Sequence, residues 1–520
     1  MQNRPNFIVI HTDQQRYDCV GLSGMREGIY TPYTDSIGWQ GARFTSAYCN
    51  CPLCIPQRLS LLTGQEPAHH GLFHNVGIPY LPLETTLPAE MRRGGYQTAL
   101  VGRTMHTYPF NHSYGFEYYL PGDPSSENKE SSDAFFTYLR DHNSHDCGGY
   151  DGCGPHNNSR AAAPFHLSDE YHQTKWTTNR ALDFLSNRDA SRPFMLFVGF
   201  YAPHSPHNPP EPYFNRYYQR DDLGGPWFSE WDIPPVSSGN VMARYVKLSR
   251  EEIRSLYVGY YGNIAFLDTQ IGRLLNAAMK QKNTYVIFTS DHGEMLGDHY
   301  LMQKNRPYQG AVHIPFHIMG PGIADGQERD EPIGWHDIMP TILDLAGLPI
   351  PASVDGRSLA PLLCGEGPKA SWRQYIHGEC THDFLFDAKI RPASEKHNFI
   401  YEEGSQYLTD GTMKYIWYPT SGKEQLFNIR EDYGEQHDLS GEPAYHGELE
   451  KWRSILVKEL QGREEGFSDG EKLIPGSKPQ RMSRKMAALA QQRREEGFAL
   501  AYGGKADPMA KLQFEEKLMN

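Results

Sequence analysis

Short apolar runs punctuate the chain: "FIVI" (7–10), "TALV" (98–101), "FMLFVGF" (194–200) and "YVIFT" (285–289). Runs of this length, rich in β-branched and aromatic residues, read as strands buried on both faces. Between them, apolar positions recur at steps of three and four. The clearest series opens at Ser249, with Glu252 at capping-box spacing. It continues through Ile253, Leu256, Tyr257, Tyr260, Ile264, Leu267, Ile271, Leu274 and Leu275, one buried face of a long helix. Strands alternating with helices predict an α/β sandwich with a mostly parallel central sheet. From about residue 366 the rhythm shortens. "KYIWY" (414–418) and "QLFNI" (425–429) are split by "PTSGKE", and a helical pattern spans 446–462. That predicts a smaller antiparallel sheet with one helix. The expected division is an α/β domain over 1–365, an α+β subdomain over 366–475 and a charged, partly helical arm over 476–520. The arm is read as a solvated extension, or as a contact to a second subunit in a homo-oligomer.

The strand ends carry the chemistry. "FIVI" runs into His11-Thr12-Asp13-Gln14, and "TALV" into Gly102-Arg103, with His106 beyond. "FMLFVGF" leads to Tyr201-Ala202-Pro203-His204, and "YVIFT" to Ser290-Asp291-His292-Gly293. In open α/β sheets, ligands bind at the carboxyl ends of the strands, so these clusters are expected to converge. Strand-end carboxylates such as Asp13 and Asp291 facing one crevice have little structural use without a cation.

Composition narrows the partners. The 520 residues carry 50 basic and 63 acidic side chains, net −13, which argues against nucleic acid. No apolar run approaches the roughly 20 residues of a membrane span. The chain enters its first strand at Phe7 with no apolar signal region. As written this points to the cytoplasm, and to the periplasm or a secreted location if a leader has been removed.

Cysteine is used in a cluster: Cys49, Cys51 and Cys54 stand within six positions. A zinc site usually needs four ligands, and no second C-x-x-C pair follows. "PQRLSLL" reads as a helix with proline in its first turn and Thr63-Gly64 as its stop. Cys54 is then at a helix N-terminus, where the dipole lowers a thiol's pKa and favours anions, with Arg58 one turn on. Cys147 and Cys153 can pair in an oxidising compartment.

Cys54-Ile-Pro56-Gln-Arg58 followed by Thr63-Gly64 resembles the C-x-P-x-R…T-G signature of the type I, formylglycine-dependent sulfatases of the alkaline-phosphatase-like superfamily. The likeness extends over roughly residues 5 to 460. It includes Asp13-Gln14, "GRTMH" (102–106), His204, "DHGEMLGDHYLMQK" (291–304), "HDIMPTILDLAGLPIP" (336–351), "DGRSL" (355–359) and "EQLFNIREDYGEQHDLS" (424–440). The resemblance implies that a formylglycine-generating maturation enzyme oxidises Cys54 to an aldehyde, whose hydrate attacks sulfur. It implies one divalent metal held by Asp13, Gln14, Asp291, His292 and residue 54. Oxygen donors favour Ca²⁺ there, while imidazole suits Mn²⁺ or Zn²⁺. Arg58 would hold the hydrate, Lys304 would bind a sulfate oxygen, and His204 would be the leaving-group acid. Arg103 and His106 would contact sulfate or hydrate. Asn75, twenty-one residues after Cys54, occupies a position seen in phosphonate monoester hydrolases. Cys49 and Cys51 would be packed structural thiols. The expected substrate is an aryl or carbohydrate sulfate monoester, with a phosphonate monoester or phosphodiester as the alternative. A non-catalytic binding protein, with Cys54 kept as a thiol, is disfavoured by the complete residue set.

Overall fold

The computed structural model describes residues 4–75, 83, 85–105, 112–123, 133–142, 150, 152–235, 244–365, 371–381, 403–477 and 479–492. In the first part of the chain lie β1 (Asn6–Asp13), β2 (Ala42–Phe44), β3 (Ala47–Tyr48), β4 (Gln97–Gly102), β5 (Tyr118–Pro121), β6 (Phe194–Pro203), β7 (Thr284–Ser290), β8 (Phe316–Met319), β9 (Gln327–Arg329) and β10 (Ile333–Gly334). Eight of them make one sheet in the order β5-β4-β6-β1-β7-β8-β2-β9, while β3 and β10 pair separately. The four expected strands are its neighbouring central members, β4-β6-β1-β7, all parallel. β8 runs antiparallel between β7 and β2.

The alternation of side chains across a strand divides the core into two layers. Phe7 and Val9 of β1 enter one cluster, Ile8 and Ile10 the other. The second layer is closed by helices Gln173–Asn187 and Arg250–Ala278, through Ala181, Phe184, Leu267, Ile271 and Leu274. The long helix starts as predicted, with a reciprocal capping box between Ser249 and Glu252. The first layer is closed by helices Cys54–Thr63 and Ile338–Leu345. Gly64, at φ 67°, ends the former in the left-handed conformation.

Register sets the level of the site. Thr12 pairs with Ser290, so Asp13 and Asp291 leave adjacent strands together. On the other side Asp13 pairs with Pro203, one residue before His204. β4 and β6 approach closely where Arg103 departs. A Cβ on Gly102 would strike the Gly199 carbonyl oxygen, and one on Gly199 would strike that of Arg103.

The second sheet is antiparallel, in the order β11 (Ile376–Cys380), β12 (Ser405–Thr409), β13 (Met413–Trp417), β14 (Glu424–Asn428), with helix His446–Glu459 packed on it. Its edge strand β11 clamps the segment that leads into Cys54. Glu379 N donates to Asn50 O (2.7 Å), Asn50 Nδ2 donates to His377 O (2.8 Å), and the Tyr407 hydroxyl donates to Cys49 O. Asn305 N donates to Pro52 O (3.0 Å), and Thr381 Oγ1 to Phe73 O (2.8 Å).

The start of the C-terminal arm departs from expectation. Residues 479–492 are not a solvated extension. Phe73 N donates to Arg481 O (2.9 Å) and Ser483 N to Gly71 O (2.8 Å), while Met486 and Ala490 join the first core layer. Residues 493–520 lie outside the described residues. Among the described residues, no helix is long and apolar enough to cross a membrane.

Candidate active site

Four side chains from three elements meet at the carboxyl end of the sheet. Asp13 ends β1, Asp291 and His292 follow β7, and Cys54 opens its helix. One ligand atom from each of these four buried residues lies within 4.8 Å of the others. His292 Nε2 stands 3.3 Å from Cys54 Sγ, 3.7 Å from Asp291 Oδ1 and 3.8 Å from Asp13 Oδ1. His292 Nδ1 donates to Gly293 O at 3.0 Å, which turns the Nε2 lone pair toward the cluster.

Arg58, fully buried, holds the carboxylates from below. Its Nη2 donates to Asp13 Oδ2 (2.8 Å) and Asp291 Oδ2 (2.7 Å), its Nε to Asp291 Oδ2 (3.1 Å) and its Nη1 to Thr104 O (2.5 Å). Arg103 Nε adds a second bond to Asp13 Oδ2 at 2.7 Å. Its guanidinium lies 4.4 Å over the Tyr201 ring and is also bonded to Asp123. Burial alone would raise the Asp13 pKa, but Arg103, His204, Arg58 and Lys304 outweigh it and hold that carboxyl well below the usual range. Burial and Asp13 push the Cys54 thiol up, whereas Lys304 and His292 bring it to a net value below that of an ordinary thiol. Burial likewise opposes a charge on His292, and Asp291 and Cys54 raise its pKa in spite of it.

On the opposite side, Lys304 Nζ donates to Gln14 Oε1 (2.5 Å) and faces His204 Nε2 (2.9 Å). His204 Nδ1 donates to Ser205 O at 2.7 Å, so Nε2 is the acceptor. Burial first, then Lys304, lowers the His204 pKa well below 6.5. The Gln14 backbone, at φ 72°, donates to Asp291 Oδ1 (3.1 Å), and its side-chain amide donates to Glu294. Asn75 Oδ1 accepts from Ile55 N (3.0 Å), which places it beside Cys54 at the helix start. His106 and Cys147 lie outside the described residues. Cys49 and Cys51 are buried, with thiols 3.6 Å from Ala311 O and 3.4 Å from Phe73 O. Burial raises both of their pKa values.

The donor set fits a divalent cation. Asp13 Oδ1 is buried with no hydrogen-bond partner, and it faces an imidazole nitrogen and a second carboxylate oxygen. Sequence reasoning missed the Thr104 carbonyl, the Tyr201 ring and Glu294. The last was visible in "DHGE", as a carboxylate two residues beyond His292.

A mostly parallel sheet whose strand ends carry an acid–imidazole cluster facing a helix N-terminus is the architecture of the alkaline-phosphatase-like hydrolases. The phosphonate monoester hydrolase of Agrobacterium radiobacter superposes with a TM-score of 0.70 at 26% identity, over 88% of this chain and 95% of that one. The chain belongs to the sulfatase family, whose model matches residues 5–348. A second family model, N-sulphoglucosamine sulphohydrolase C-terminal, matches residues 297–461. An arylsulfatase of Clostridium perfringens is 35% identical over 495 residues, covering 91% of this chain and 98% of that protein. A choline-sulfatase of Rhizobium meliloti is 29% identical over 472 residues, covering 85% and 83%. The chain is a sulfuric ester hydrolase.

Proposed function

We propose that the protein hydrolyses a sulfate monoester of an aryl or carbohydrate alcohol, with residue 54 carried as formylglycine beside one divalent cation. The observation that carries this reading is the meeting of Asp13, Cys54, Asp291 and His292 around an unpartnered carboxylate oxygen. Those four, with Gln14, would hold the cation. Its positive charge and the formylglycine oxygen would supply the electrophilic and nucleophilic chemistry. The oxygen-rich donors favour Ca²⁺, and the imidazole keeps Mn²⁺ as the alternative.

The remaining residues do work of their own. Arg58 fixes both carboxylates through three donated bonds, with a fourth to Thr104 O, and sits on the helix that presents residue 54. Arg103 is held by Asp13 and stacked on Tyr201, which sets a planar cation at the edge of the site for a sulfate oxygen. Lys304 has three protons. One goes to Gln14 and one to His204, which leaves the third for the ester's bridging oxygen. The geometry thus supports Lys304 as the proton donor and His204 as its neutral acceptor, where the sequence led to His204 as the acid and Lys304 as a ligand of a sulfate oxygen.

A phosphonate monoester is the second reading. It is favoured by the structural likeness to the Agrobacterium radiobacter enzyme and by Asn75 at the helix start. Rates on p-nitrophenyl sulfate and on a phenyl phosphonate ester, measured side by side on metal-loaded protein, decide between them. Faster turnover of the phosphonate overturns the sulfate reading.

A further inference from the structure

We infer that Glu294 is a positioning residue for the reaction: it orients the Gln14 amide and, through it, holds Lys304 at the reacting end of the site. The inference rests on the proposed role of Lys304. Glu294 is 2% exposed and lies in the segment after β7. One of its oxygens, Oε2, accepts from Gln14 Nε2. The other, Oε1, accepts from Leu296 N (3.0 Å) and from Gln303 N. Gln303 immediately precedes Lys304 in the chain. One carboxylate therefore grips both the Gln14 side chain and the backbone that delivers Lys304.

The orientation of the Gln14 amide follows from chemistry at its two ends. An ammonium only donates, and a carboxylate only accepts. Placed between Lys304 and Glu294, the amide has one satisfactory orientation, with Oε1 toward Lys304 Nζ at 2.5 Å and Nε2 toward Glu294. A carbonyl oxygen has two lone pairs, so Gln14 Oε1 can accept from Lys304 and still offer a second to a cation. The arrangement makes Glu294 the group that decides which end of Gln14 faces the chemistry, and it does so through Gln14 and the Gln303 backbone.

Glu294→Gln tests this with an isosteric change. The new amide keeps its oxygen on the two backbone N–H groups and turns its NH₂ toward Gln14. Gln14 must then rotate and present NH₂ to Lys304, a clash of donors. The expected result is a folded protein whose kcat falls by about 10- to 100-fold, as for other residues that support metal or catalytic side chains. The loss should be larger for alkyl or sugar sulfates than for p-nitrophenyl sulfate. The double variant, Gln14→Glu combined with Glu294→Gln, restores a donor facing an acceptor at both ends, and is expected to recover kcat by about tenfold over Glu294→Gln alone. A structural role alone would not be rescued by that exchange. Crystal structures of both variants give a readout without turnover: Lys304 Nζ should leave residue 14 in Glu294→Gln and return in the double variant. Glu294→Gln within twofold of wild type, or a double variant no faster than the single, overturns the inference and leaves the sulfatase reading intact. If Glu294→Gln does not fold, a double variant that folds with Lys304 on the carboxylate at position 14 supports the inference, and one that folds with Lys304 elsewhere overturns it. Wild-type protein inactive on every sulfate ester refutes the reading instead. The position of Lys304 Nζ in the variants then decides the inference by itself.

Discussion

Removing Lys304 and removing His204 should have unequal effects, and the geometry says which is larger. Their nitrogens are 2.9 Å apart, with the His204 Nδ1 proton committed to Ser205 O. Two unit charges at that distance repel by about 6 kcal/mol at an effective dielectric near 20. That repulsion opposes a second charge on the pair. The direction agrees with the depressed pKa of His204. On the proposed reading, the proton available to a leaving alkoxide belongs to Lys304. For Lys304→Ala, kcat/KM on a sugar or alkyl sulfate should drop by about 10²–10⁴-fold, the usual cost of losing a general acid. p-Nitrophenolate leaves with little protonation, so on p-nitrophenyl sulfate the loss should be about tenfold, from the lost ammonium alone. His204→Ala leaves the ammonium in place and should cost about tenfold or less on both substrates. The assay is kcat/KM for the two substrates in wild type and both variants. A steep leaving-group dependence in His204→Ala together with a flat one in Lys304→Ala would refute the assignment and return the acid role to the imidazole.

Peptide mass spectrometry over residues 44–58 of active protein should find residue 54 as formylglycine; a fully active sample with an intact thiol would sink the proposed nucleophile. Asp291→Ala should lose bound divalent metal and at least about 10³-fold in turnover, because the same carboxylate anchors Arg58, Gln14 and the cluster; elemental analysis of the purified variant checks the first half. Arg58→Ala strips two buried carboxylates of their shared guanidinium and should cost about 3–5 kcal/mol in urea unfolding, with the Arg58→Lys variant only partly restoring it because an ammonium lacks the fork. Acid should also unfold the protein. Burial lowers His70, His172 and His313 to about 3 and His207 and His317 to about 4, against 6.5 in the unfolded chain. Their contribution is complete above 6.5 and lost as pH falls, at about 2 kcal/mol each by pH 5. Asp133 and Asp268, raised by burial to about 7 and 6, act with the opposite sign and return roughly 4 kcal/mol together. A net loss on the order of 5 kcal/mol between pH 7.5 and 5 should appear in urea midpoints, and an unchanged midpoint would contradict it.

What the sequence made legible was whatever repeats along it. Strand runs such as 7–10 and 285–289 announce themselves by hydrophobicity, and the residues just after them reach the site because parallel strands end together. The Cys54 helix was legible from its proline and its terminal glycine. Contacts that depend on distant partners were not. Nothing local says that Gln303 N ends on Glu294, or that Tyr201 lies under Arg103. The His204 tautomer was hidden for the same reason, since it is set by a neighbouring carbonyl whose direction only the fold reveals. Strands β11 and β12 also escaped, because "IHGEC" and "SQYLT" mix polar and apolar residues too evenly to stand out.

The clamp that β11 places on residues 49–52 has a consequence for the timing of synthesis. The last backbone partners of those residues, Val312 and Glu379, are made long after Cys54. Roughly 320 residues separate Cys54 from the end of β11, and at about 5–20 residues per second a ribosome needs about 16–65 s to add them. Until then the nucleophile segment lacks its strand partner, and for most of that time it also lacks the carboxylate after β7 that Arg58 grips. An enzyme that has to reach Cys54 would meet an open peptide during that interval. Afterwards it would face a side chain only 4% exposed, at the base of a closed helix.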